Sequence, residues 1–126
     1  MNAPESFQIA EGFAIYRPTG DVSLQEAISL VSQAITFARD SQISRLLVDS
    51  TKLTGFGPLG TVDRYMIGEQ LAHAARSSLR LAMVARAELI DPQRFGVTVA
   101  RNRGLDNDVF TSEAEALAWL LDLKAK

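Results

Sequence analysis

Two short runs of uninterrupted apolar residues set the tightest limit on how this chain folds: Leu46-Leu47-Val48 and Leu81-Ala82-Met83-Val84-Ala85. A strand with one wet face alternates apolar and polar side chains, because successive residues point to opposite faces. A strand that is apolar at every position has both faces covered, so other elements must lie above and below it. Around these runs the apolar residues recur at helical spacing instead. Leu24, Ala27, Ile28, Val31, Ile35 and Ala38 form one stripe. Ser23-Leu24-Gln25-Glu26 opens that helix as a capping box, in which hydroxyl and carboxylate satisfy unpaired N–H groups. Leu30 and Phe37 lie one heptad apart on its flank, placed either to cover a sheet edge or to meet a second copy.

A second helix is expected over about residues 61–77, with Ile67, Leu71, Ala74 and Ala75 inward. Asp91-Pro92 reads as N-cap and first position of a third, closed by Gly104. Ser112-Glu113-Ala114-Glu115 is a second capping box, opening a helix with Leu117, Leu120 and Leu121 inward. Trp119 falls off that stripe, suited to packing under the N-terminal strands or to an oligomer contact. At the start of the chain, Phe7-Gln8-Ile9 and the run from Phe13 to Arg17 alternate around Glu11-Gly12 and read as a hairpin ended by Pro18-Thr19-Gly20. Asp108-Val109-Phe110 reads as a short last strand. The order β-β-α-β-α-β-α-β-α implies one α/β domain over residues 1–126. It has a mixed, mostly parallel sheet with an N-terminal β-hairpin and four helices, joined by right-handed crossovers.

Composition narrows the chemistry. No Cys is present, which excludes disulfides, thiolate nucleophiles and Cys-ligated zinc. His73 is the only imidazole, so multi-His metal sites are excluded too, and no cofactor is expected. A net charge of −2 gives no general attraction to nucleic acid. No apolar stretch approaches the length of a membrane span, and MNAPESFQIAEG lacks the basic-then-apolar pattern of a secretory signal. A cytoplasmic protein that neither inserts into membranes nor binds nucleic acid is expected. The charge is nevertheless uneven. Arg64, Arg76, Arg80, Arg86, Arg94, Arg101 and Arg103 face only Glu69, Glu88 and Asp91 within their segment. Either they serve helix ends and solvated faces, or they mark an anion-binding surface.

The segment 49–60 is the foremost candidate site. Its Asp49, Ser50, Thr51, Lys52, Thr54, Gly55 and Gly57 leave a buried strand and enter a helix carrying Arg64 and Tyr65. Ligands of open α/β sheets bind beyond the carboxyl ends of parallel strands, and helix N-termini favour anions. It is neither a P-loop nor a dinucleotide fingerprint, since no Gly-Lys-Ser/Thr and no Gly-x-Gly-x-x-Gly occurs in it. Two readings stand: a site for a small anionic or amphiphilic (lipid-like) ligand or a partner, or a βα connection shaped around a buried Phe56. Ser50, Thr51 and Thr54 are likewise either phosphorylation sites or hydroxyls bonded locally in a turn. Tyr65, Glu69, His73 and Arg76 fall in one row on the second helix. Glu69 and His73 have the spacing of an acid–base pair, but no nucleophile accompanies them, and a solvated or interface face is the expectation.

Over nearly its whole length the chain resembles the STAS domain, the fold of anti-sigma-factor antagonists of the SpoIIAA type, and in particular small stand-alone bacterial members. The segments that carry the resemblance are Tyr16-Arg17-Pro18-Thr19-Gly20, Leu46-Leu47-Val48-Asp49, Thr54-Gly55-Phe56-Gly57, Arg64-Tyr65, Phe95-Gly96-Val97, Ala100-Arg101-Asn102-Arg103-Gly104 and Phe110-Thr111-Ser112. Phosphorylated members carry an Asp-Ser-Ser-Gly-like sequence where the loop enters the second helix. Here that place reads Gly55-Phe56-Gly57-Pro58-Leu59-Gly60, without a hydroxyl, and Asp49-Ser50-Thr51 lies upstream. The phospho-switch therefore does not carry over. The resemblance implies a non-enzymatic regulatory or protein-interaction module, with a protein partner or a second copy in a homodimer. A lipid-like ligand is its alternative.

Overall fold

The computed structural model describes residues 3–122. Its elements are β1 (Phe7–Ala10), β2 (Phe13–Tyr16), β3 (Gly20–Asp21), α1 (Leu24–Asp40), β4 (Arg45–Asp49), β5 (Leu53–Thr54), α2 (Thr61–Ala75), β6 (Arg80–Val84), α3 (Phe95–Asn102), β7 (Asp106–Phe110) and α4 (Glu113–Leu120), with a 3-10 turn at Ala87–Leu89. A five-stranded sheet runs β1-β2-β4-β6-β7, antiparallel only between β1 and β2. The short β3 and β5 pair in parallel as a separate two-stranded ladder. The α/β class, the mostly parallel mixed sheet, the antiparallel N-terminal pair and the four helices agree with the sequence.

The parallel strands follow one another across the sheet without reversal. Right-handed crossovers that all advance in one direction put α1, α2 and α3 on the same face. The pleat then sorts the strand residues. Ala14, Tyr16, Leu46, Val48 and Leu81 join the core beneath α1, α2 and α3. Their neighbours Leu47, Ala82 and Val84 join Ala116 and Leu120 of α4 on the other face. Both apolar runs are thus buried on two sides, with Leu46, Leu47 and Leu81 at 0% exposure. Burial of each such side chain stabilises the fold by about 1.5–3 kcal/mol.

Local chemistry sets the ends of the elements. Ser23 Oγ accepts from the Glu26 N–H at 3.1 Å while Glu26 Oε1 accepts from the Ser23 N–H at 2.9 Å, completing the expected capping box. Phe37 packs edge-on against Phe7 with ring centroids 5.0 Å apart, so it covers the β1 side of the sheet. Trp119 lies 5.6 Å from Phe110, packs, as Phe13 and Ile15 of β2 do, against the cluster around Leu47 and Leu120, and carries the Arg80 guanidinium over its ring at 3.8 Å.

Three expectations shift. The third helix starts at Phe95, after Asp91-Pro92. Both Asp91 carboxylate oxygens are engaged, Oδ1 by the Gln93 N–H and Oδ2 by the Phe95 N–H, which folds the intervening residues into a turn. Arg94 then enters the helix at a left-handed φ of 53°. The second helix ends at Ala75, because Arg76 and Ser77 both take positive φ. Leu121 caps α4 from outside and is exposed, while Leu117 packs inward beside the buried Ala116 and Leu120 as expected.

Candidate functional site

The 49–60 segment is pinned along its first half. The Ser50 N–H bonds Val84 O at 2.9 Å, and the Leu53 N–H bonds Ser50 O at 3.1 Å. Leu53 and Thr54 then pair with Gly20 and Asp21. Gly55 follows at φ 102°, so close to the 20–22 backbone that a Cβ there would lie 2.5 Å from Val22 O. The three hydroxyls are all engaged: Ser50 Oγ with Val84 O at 2.9 Å, Thr51 Oγ1 with Asp49 Oδ1 at 2.6 Å, and Thr54 Oγ1 with Gly20 O at 3.4 Å. Gly57 has open space around it.

Beyond Gly55 the chain turns inward. Phe56 and Leu59 join Ser50 and Leu53 in lining a predominantly apolar cavity of about 170 Å³ at the carboxyl ends of β4 and β6. Its walls come from the first half of α1 (Leu24, Ile28), from α2 (Ile67, Leu71), from Met83 of β6 and from α3 (Val97). Five polar residues also reach it: Ser50, Arg64, Asp91, Arg94 and Asn107. The Phe95 and Gln93 N–H groups bonded to Asp91, helped by the nearby positive charge of Arg64, hold its carboxyl below the usual range. Arg94 donates to Asp108 and to Val109 O. Arg64 is the exception among the charges. It is half-buried and donates Nη1 to Leu89 O at 3.0 Å, but no carboxylate of the described residues lies within ion-pair distance.

The sequence-predicted residues therefore separate. Ser50 and Arg64 reach the cavity, whereas Thr54 belongs to the β3–β5 ladder and Gly55 follows it, close against the Val22 backbone. Asp49, Thr51 and Lys52 are absent from its wall. Asp49 uses Oδ1 to accept from Thr51, and Lys52 is exposed. Asp49 and Lys52 lie electrostatically near a second group of charges, where Arg17 grips Glu113 through two bonds of 2.8 Å. The Arg17 guanidinium holds the Glu113 carboxyl well below the usual carboxylate range, at about 2.

Tyr65 points away from the cavity. Its hydroxyl donates to Glu69 Oε2 at 3.2 Å and accepts from Arg103 at 2.8 Å, while His73 and Arg76 stand exposed farther along α2. No contact joins Glu69 to His73 in an acid–base pair. The arginine-rich segment does not gather into one patch. Arg80 pairs with Asp106, Arg86 with Glu88, Arg94 and Arg101 with Asp108, and Arg103 with Glu69.

Asn107 is the cavity residue that sequence reading missed. It is buried, at 6% exposure, in a segment where only residues 108–110 read as strand. The parity of Leu105, Asn107 and Val109, which share one face of an extended segment, is the signal that points to it. No helix among the described residues is long and apolar enough to cross a membrane, and no group of described acidic or His side chains is arranged to hold a metal ion. No protein-family model matches the chain, and neither curated proteins nor solved structures give a match.

Proposed function

We propose that this protein is a non-enzymatic binding domain that takes a small anionic amphiphile, its apolar part in the cavity between sheet and helices and its acidic group on Arg64. The observation that carries this reading is the apolar cavity itself, with a half-buried guanidinium on its wall that makes no ion pair with any described residue. Native interiors leave few voids, and a cavity of about 150 Å³ lined by aliphatic and aromatic groups accepts a benzene-sized guest. The 170 Å³ here suits one aromatic ring or a short alkyl chain. Sites for drug-sized ligands begin at about 300 Å³, so a long-chain lipid does not fit without movement of the Phe56–Leu59 segment. Titration with benzoate, hexanoate and toluene, followed by amide NMR and thermal unfolding, tests the reading. All three should perturb the amides of Met83 and Val97, with the acids binding more tightly. Arg64→Gln should remove the advantage of the acids and leave toluene binding intact. No perturbation by any of the three overturns the proposal.

A second reading, the STAS-like interaction module acting as a homodimer or on a protein partner, has its own observation. Val62, Tyr65 and Phe95 are exposed at 75%, 40% and 36%, on the starts of α2 and α3. Those helices meet closely, since a Cβ on Gly96 would lie 3.2 Å from Arg64 O. Under this reading light scattering finds a dimer that Val62→Asp dissociates. A wild-type monomer at every concentration removes the homodimer form.

A further inference from the structure

The cavity holds one strongly buried polar side chain whose chemistry the fold does not exhaust. Asn107 donates Nδ2 to Leu105 O at 2.9 Å and to Val97 O at 3.4 Å. Those two carbonyls fix the orientation of the amide, because a flipped group would set Oδ1 against two acceptors. Oδ1 is then the atom left over, and no described residue donates to it. The other polar residues of the wall are committed differently. Ser50 already donates to Val84 O, Asp91 caps the turn before α3, and Arg94 clasps Asp108 and Val109 O. The Asn107 oxygen is reachable by water in the open cavity, so an apolar group placed against it forfeits a hydrogen bond to water and a donor restores one.

We infer that Asn107 is a specificity-determining residue of the cavity, selecting ligands whose buried part carries an O–H or N–H donor for its Oδ1. This rests on the binding reading above and sharpens it: the ligand class becomes a small acid with an apolar body and a hydroxyl or amide donor on that body. The structural role of Nδ2, tying β7 to α3, explains why the residue is an amide, but it leaves the acceptor unused. Asp91 and Arg94, the other charged residues of the wall besides Arg64, have their partners in the turn and at the sheet edge.

The test compares benzoate with 2-, 3- and 4-hydroxybenzoate and with the corresponding methoxybenzoates, by calorimetry on the full chain. A donor reaching Oδ1 should make at least one hydroxybenzoate about three- to tenfold tighter than benzoate. Its methoxy counterpart should lose that gain. The same ligand should shift the Asn107 side-chain amide resonances in the wild-type protein, a readout that needs no variant. In Asn107→Leu the gain should vanish while benzoate still binds. Benzoate binding with no hydroxybenzoate preferred overturns this inference and leaves the cavity reading standing. Failure of every compound, benzoate included, overturns both.

Discussion

Gly68 shows how one residue acquires a role its own helix does not give it. In an exposed helix interior, replacing glycine by alanine stabilises by about 1 kcal/mol. Here a Cβ would lie 2.7 Å from Gly96 O and 3.0 Å from Val99 Cβ. The nearer obstacle is backbone, which cannot rotate away, so α2 and α3 must part. Gly68→Ala should therefore destabilise, by about 1–3 kcal/mol, in urea unfolding; a stabilised variant would show that the two helices separate freely. Glu113 supplies the second residue-scale expectation. Its folded-state pKa of about 2 lies below the ordinary 4.5, so the stability it contributes is fully present above pH 4.5 and is lost as the pH falls toward 2. Glu26 and Asp91, held low by the N–H groups they cap, act in the same direction. Glu113→Gln should thus weaken, without abolishing, the acid dependence of unfolding between those limits. Arg17 and Glu113 are partly exposed, at 42% and 33% of their side chains. The loss at neutral pH should be only about 0.5–1 kcal/mol.

At the scale of elements, the edge of the sheet is guarded by side chains. No described strand pairs with the outer side of β7. Arg101 Nε donates to Asn107 O at 3.1 Å, Arg94 donates to Val109 O at 2.8 Å, and Asp108 accepts from the Val109 N–H at 2.8 Å. Three of the backbone groups that would template another strand are therefore occupied. The double substitution Arg94→Ala with Arg101→Ala should raise the mass measured by light scattering above that of the wild type at equal concentration. An unchanged mass would mean that the edge is closed by other means. Capping boxes and apolar stripes made the helices and both central strands legible in the sequence, since those signals act within a few residues. The β3–β5 ladder was not legible: it is two residues long and joins positions more than thirty apart. The late start of α3 was hidden because Asp caps a turn through the same side-chain bonds with which it caps a helix.

At the scale of the molecule, the cavity follows from topology. A doubly wound sheet reverses its strand order and opens a crevice at the reversal. This sheet advances in one direction, so its ligand-sized space lies between sheet and helix layer instead, at the same carboxyl ends. A ligand held there braces α1, α2, α3 and the sheet together. At a hundred times its dissociation constant it adds about 2.7 kcal/mol to the stability. Calorimetry should then place the unfolding midpoint several degrees higher with the tightest hydroxybenzoate.

The sequence by itself determined the class of fold, because a strand apolar at every position has to be covered on both sides and the intervening stripes supply the cover. It excluded thiolate chemistry by composition alone, and it marked the 49–60 segment. Only the tertiary structure decided how that segment divides, sending Ser50, Phe56 and Leu59 to the cavity and Thr54 to a ladder with β3. It alone paired most of the arginine-rich segment with carboxylates and brought Arg64 and Asn107 to the wall of an apolar space. The physical reason is range. Periodicity and capping act between residues a few positions apart, whereas a cavity and its unpaired polar atoms arise where segments distant in sequence fail to fill or satisfy one another.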